Sequence, residues 1–279
     1  MHFNFDFSAI QILWTLTFAA ILVLLVVLLG RDRARVFPWF TAGIVLMGLR
    51  LLTSRLLMGR MSAILLNTIF LSLALIAALV ALLVLVELAR RAFRGASRRA
   101  WMIGAAVLLA AGGVVLAFWG GWPAWKTITF DSTLADLRFV QFVTQKLDLL
   151  VDMLSIGLGL CVVIFGSRFG AGFRSHTQQI VIGLSTVALA QTAVRVIWQV
   201  IATHTHPSSH AEYARILGLQ QNLYNASSAV YVLALIWWIA CLWINEPGQK
   251  TETPVSSVPE APVPEAIGDS APATNEQSE

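Results

Sequence analysis

Seven apolar runs recur along the chain, separated by short polar segments, and each is long enough to cross about 30 Å of hydrocarbon as a helix. The first extends from about Ser8 to Gly30. The second opens at Pro38, a residue suited to the first turn of a helix, and runs to about Leu57. The third covers about Ser62 to Leu88 and the fourth about Trp101 to Trp119. The fifth is less plain: Thr133-Leu-Ala-Asp136 fits a capping box, after which the pattern continues to about Gly166. Ser175 to Gln178 matches a second capping box and opens the sixth run, which ends near Ala202. The seventh runs from about Leu217 to Ile244. A backbone in hydrocarbon must satisfy its own hydrogen bonds, so these runs predict an all-α polytopic membrane bundle of seven transmembrane helices.

Composition agrees, since 57% hydrophobic and 12% charged residues are outside the range of soluble domains. The chain also divides in two. Residues 1–247 carry the apolar runs, while 248–279 hold Lys250 against six acids among Pro, Ala, Ser and Thr. Such a segment cannot bury enough apolar surface to fold, so a disordered, acidic, Pro-rich cytoplasmic tail is expected. The whole-chain charge of +4 and the tail's −5 leave +9 for the helical part. That excess is a loop signal of membrane topology and not a nucleic-acid footprint. With Arg31, Arg33 and Arg35 after the first run and Arg90, Arg91, Arg94, Arg98 and Arg99 after the third, the charge bias predicts the N-terminus outside and the C-terminus in the cytoplasm. No basic residue precedes the first run, which argues against a cleaved signal peptide.

Charged residues inside membrane helices are rare and usually face the bundle interior. Arg50 and Arg55 lie in the second span, Asp148 and Asp152 in the fifth, and Arg195 in the sixth. Near the centre of a span each Asp costs about 3 kcal/mol, so the fifth helix is expected to insert with help from its neighbours. At 1.5 Å of rise per residue, Arg50, Asp148, Asp152 and Arg195 fall roughly 10–15 Å below the outer ends of their helices. The amides Asn67, Gln191, Gln199, Asn222 and Asn225 map to the same outer halves. Gln141, Gln145, Asp148, Asp152 and Ser155 form one helical stripe, Gln191, Arg195 and Gln199 a second, and Gln221, Asn225 and Ser228 a third. Three stripes at one depth predict a hydrated cavity, open to the outer side, that takes a small polar or charged ligand. Interhelical packing through Asp152–Arg195 or Asp148–Arg50 pairs is the alternative, and a proton or ion path a third. Arg55 and Lys146 lie close enough to the outer surface to snorkel.

His204, His206 and His210, with Glu212, could ligate zinc or copper, although their spacing matches no established metal motif. Cys161 and Cys241 lie inside apolar runs and read as packing residues. There is no HExxH, GxSxG, P-loop or kinase signature and no lysine in the seventh helix, which leaves no motif for catalysis or a retinal-type Schiff base and no implied cofactor. All nine prolines fall outside the apolar runs or at a helix start, so the broken helices of many transporters are not foreshadowed.

The Arg cluster followed by Phe37-Pro-Trp-Phe40 at the start of the second helix resembles uncharacterised bacterial seven-helix membrane proteins. The resemblance covers mainly the first two helices; it implies a bacterial inner (cytoplasmic) membrane location and transfers no activity or site residue. A seven-helix module with an outside N-terminus also resembles the sensory halves of bacterial signalling receptors. Those continue into a kinase or cyclase domain, whereas only the short tail follows here, so signalling would require a separate cytoplasmic or membrane protein partner. The expected function is therefore a non-enzymatic, sensor-like or ligand-binding membrane protein. The alternatives are a small transporter or proton-coupled carrier using Asp148 and Asp152, and a structural or assembly protein.

Overall fold

The computed structural model describes residues 9–57, 59–119, 122, 132–165, 175–205 and 209–244, and the expected tail lies outside them. The described residues form α-helices and no strand: α1 (Ala9–Gly30), α2 (Arg33–Val36), α3 (Pro38–Leu57), α4 (Ala63–Ala92), α5 (Arg98–Phe118), α6 (Thr133–Phe165), α7 (His176–His204) and α8 (His210–Trp243). All but the four-residue α2 are long and apolar enough to cross a membrane, which makes the chain an integral membrane protein with seven spans.

The helix ends follow local chemistry. Asp32 takes a left-handed backbone (φ 53°), which Asp tolerates better than most residues, and turns the chain from α1 into α2. Ser62, Ser97, Ser175 and Ser209 cap α4, α5, α7 and α8, each hydroxyl accepting the backbone N–H three residues on. Several boundaries differ from the sequence reading: α4 continues four residues past Leu88, and α5 begins three residues before Trp101. The cap of α6 is Ser132, whose Oγ accepts Ala135 N–H at 3.3 Å, one residue before Thr133. And α8 begins seven residues earlier than Leu217, because Ser209 caps it through Glu212 N–H at 3.2 Å and winds a polar first turn that no hydropathy pattern reveals.

Six helices close a ring in the order α1, α3, α4, α6, α7, α8 and back to α1, while α5 packs chiefly on the outside of α6. The core is concentrated at one end, the Arg-rich end carrying Arg31, Arg33, Arg35, Arg90, Arg94, Arg98 and Arg99. There Ile21, Leu24 and Leu28 of α1 meet Leu88 of α4, Ile180 of α7 and Leu235, Trp238 and Leu242 of α8, each essentially sealed from solvent. Glycine allows the closest approaches. A Cβ at Gly159 would fall on the Ser185 side chain, and one at Gly183 on the Trp238 indole. Ser185 uses the α6–α7 proximity to donate to Ser155 O at 2.8 Å, the small-residue packing that membrane helices favour.

Candidate functional site

The polar stripes of α6 and α7 converge on one ion pair. Arg195 Nη1 lies 2.7 Å from Asp152 Oδ2, joining the two helices. Asp152 is buried, and Arg195 keeps about a third of its side chain exposed. Asp148, one turn from Asp152 toward the open end, is half-buried and within electrostatic range of Arg195 and Arg50. It makes no contact ion pair among the described residues, so the expected Asp148–Arg50 pair is a long-range attraction and not a bridge.

Asp152 also forms part of the wall of a cavity of about 190 Å³ at the centre of the ring. Phe40 and Ile44 of α3, Val84 and Leu85 of α4, Leu184 and Val187 of α7 and Trp238 of α8 make most of that wall apolar. Its polar groups are Asp152, Ser155, Gln191 and Tyr231. Phe40 and Trp238 meet edge to face, with ring centroids 5.3 Å apart. Taking a water's share of volume as about 30 Å³, the space corresponds to about six waters or one small molecule. An apolar chamber with a few convergent polar groups is the usual composition of a ligand site.

The remaining expected residues divide. Gln191 joins Asp152 on the cavity wall, and Arg50 is half-buried within reach of Asp148. Asn225 is half-buried and accepts the Gln221 amide at 3.1 Å. Asn67, Gln199 and Asn222 are exposed and join no cluster. Of the histidines, His206 lies outside the described residues, and His204 Nδ1 sits 2.9 Å from Val200 O and 3.0 Å from Thr203 Oγ1. No group of three or more His, Cys, Asp or Glu suited to a metal occurs among the described residues.

Two charged residues have roles the sequence reading did not assign. Lys146 reaches the C-terminal turn of α5. It is buried, its Nζ donating to Trp119 O at 2.6 Å and Leu116 O at 3.4 Å, and lying 4.8 Å from the Trp122 ring centroid. A cation there offsets the carbonyls left without partners at the C-terminus of α5 and holds this outlying helix to α6. Glu87, near the end of α4, is buried as well. Its Oε2 accepts the backbone N–H groups of Trp39 and Phe40 at 3.1 and 3.2 Å, supplying the N-terminus of α3 with an anion. Arg91 sits 3.6 Å from Glu87 Oε1, donates to Val36 O, and stacks over Phe37. The signal was present in the four-residue Glu87–Arg91 spacing beside a proline-opened helix, but it fell in a run's last turn, where charge looks interfacial.

Comparison of the chain with family models, curated proteins and solved structures found no match, so the reading of this site rests on its own chemistry.

Proposed function

We propose that the chain is a non-enzymatic, sensor-like membrane protein that binds a small polar or charged molecule at the Asp152–Arg195 pair and reports occupancy to a separate protein partner. The observation that carries this reading is the buried carboxylate on the wall of a central cavity. An ionisable residue within a membrane bundle is costly, and replacing a buried ion pair by apolar side chains is often neutral or stabilising, so stability alone is a weak reason for its presence. The open end faces outward and the Arg-rich end the cytoplasm of a bacterial inner membrane, in keeping with the loop-charge bias. A route to the cytoplasmic face is supported by Phe40, whose ring forms part of the cavity wall while its N–H is held by Glu87 at the Arg-rich end. A ligand that displaces this ring would load the α3–α4 contact at Glu87 and, beside it, the end of α2, where Arg91 donates to Val36 O.

The test is a screen of small solutes against purified protein. A binding solute raises the thermal midpoint, and Ala81→Leu, which fills the cavity, removes the effect, while proteoliposomes show no flux of that solute. Flux abolished by Asp152→Asn without loss of folding would convert the reading to a carrier. The 2.7 Å contact itself favours one rival, that the pair is packing only. In that case Asp152→Asn and Arg195→Gln each destabilise, the double variant recovers, and no solute acts.

A further inference from the structure

Resting on the ligand-binding reading above, we infer that the cavity selects a small organic cation of the quaternary or tertiary ammonium class. Among the described residues of the cavity wall, Asp152 is the only carboxylate and no Lys, Arg or His stands beside it; its partner Arg195 lies one turn beyond Gln191 and is not part of that wall. Arg195 engages Oδ2, and no other donor among the described residues reaches the carboxylate, which leaves acceptor capacity on a buried residue, 7% exposed. A guest in the chamber therefore meets a carboxylate edge before it meets a guanidinium.

The aromatic residues point the same way. Phe40, Tyr231 and Trp238 all border the space, and Tyr231 and Trp238 are seven residues apart, two turns along one face of α8. Aromatic faces attract cations through the ring quadrupole, most strongly where water is excluded, and such cages are the usual recognition device for quaternary ammonium. Met47, Val151 and Leu184 supply apolar contact for the alkyl groups. A strongly hydrated metal ion would find one carboxylate and few other oxygens, far from the six to eight that a hard cation takes. An anion would face Asp152 directly. Asp148 adds a second carboxylate on the same α6 stripe, within electrostatic range of Arg195 and Arg50.

Three probes of similar shape separate the charge classes: tetramethylammonium, uncharged tert-butanol and pivalate, each measured by equilibrium binding to the full-length chain in detergent at fixed ionic strength. Tetramethylammonium is expected to bind at one site per chain. Tyr231→Leu should weaken it by about fivefold to thirtyfold, the effect of losing a desolvated cation–π contact. Asp152→Asn should weaken it by at least about tenfold, one opposed charge in a partly buried site. Should Asp152→Asn not fold, Tyr231→Leu and Ala81→Leu, which fills the chamber, carry the test. Preference for pivalate or tert-butanol that Ala81→Leu removes would overturn the cation assignment while leaving the ligand site intact. Equal weak binding of all three, indifferent to Ala81→Leu, would overturn it together with the ligand-binding reading.

Discussion

Between the central cavity and the Arg-rich end, each helix of the ring contributes fully or nearly fully buried side chains. Toward the opposite end, α3 beyond Gly48, α7 beyond Ala188 and α8 before Val232 bury none among the described residues. The same helices are thus sealed against one another in one half and parted in the other. Burial along the α6 and α7 stripes follows this split: Ser155 and Asp152 are buried, Asp148 is half-buried, and Gln145 and Gln141 are exposed; on α7, Gln191 and Arg195 are half-buried and Gln199 is exposed, whereas on α8 Ser228 is exposed and Asn225 half-buried. The closed half holds the apolar contacts that fix helix order. The open half spends its sequence on charges and amides that add little to that order. Cohesion and chemistry therefore occupy different ends, as expected where a functional site departs from the rules that specify the fold.

The sharpest way to break this comparison is to overfill the closed half. Gly183 leaves room for the Trp238 indole, a rigid ring that is 1% exposed, so Gly183→Ala must shift one helix against another. A loss of about 2–3 kcal/mol is expected, the range for overpacking a tight core. Gly113 on α5, with nothing near its missing Cβ, is the control. Gly113→Ala should be neutral or gain about 0.5–1 kcal/mol from helix propensity. Unfolding of both variants in detergent measures the difference, and equal effects would end the distinction between sealed and parted helices.

Next in size is Glu87→Ala, expected to cost about 2 kcal/mol because it strips the α3 N-terminus of its acceptor and leaves Arg91 without its carboxylate. Glu87→Gln keeps an acceptor and should recover about half of that loss. If Glu87→Ala instead leaves unfolding unchanged while abolishing solute-dependent signalling to a partner, Glu87 belongs with the chemistry and not with the cohesion, and the division of labour fails.

How far the chain disclosed this arrangement depends on the kind of information each feature needs. The seven helices were legible because the bilayer imposes one length and one polarity on every span, and Pro38 and the Ser caps mark boundaries locally. The meeting of Asp152 with Arg195, on the α7 stripe that also carries Gln191, was legible because rise and spacing fix depth and face on a single helix. Rotation of one helix relative to its neighbours is set by packing, which no single stripe encodes. Asn67, Gln199 and Asn222 have the expected depth and still join no cluster. Glu87 and Lys146 were missed for the converse reason. Their partners are backbone groups at the ends of other helices, invisible to any pattern of side chains.

The smallest expected effects lie at the edge of the comparison, in how α5 and the exposed amides differ. Lys146→Met keeps an aliphatic side chain and removes the ammonium, which donates to Trp119 O and Leu116 O and lies over the Trp122 and Phe142 rings. A neutral residue there leaves those carbonyls unpaired in a buried setting, so a loss of about 1 kcal/mol is expected. That loss should be local, read as faster hydrogen exchange at the C-terminal turn of α5 with little change in the bundle's thermal midpoint, because α5 packs chiefly on α6 and stands outside the ring. Asn222→Ala, on an exposed position with no partner in the cluster, should alter stability by no more than about 0.5 kcal/mol and leave solute binding unchanged. If Asn222→Ala abolished binding, the site would extend along α8 well beyond Tyr231, and the open half would be a binding surface along its whole length instead of an approach to one chamber.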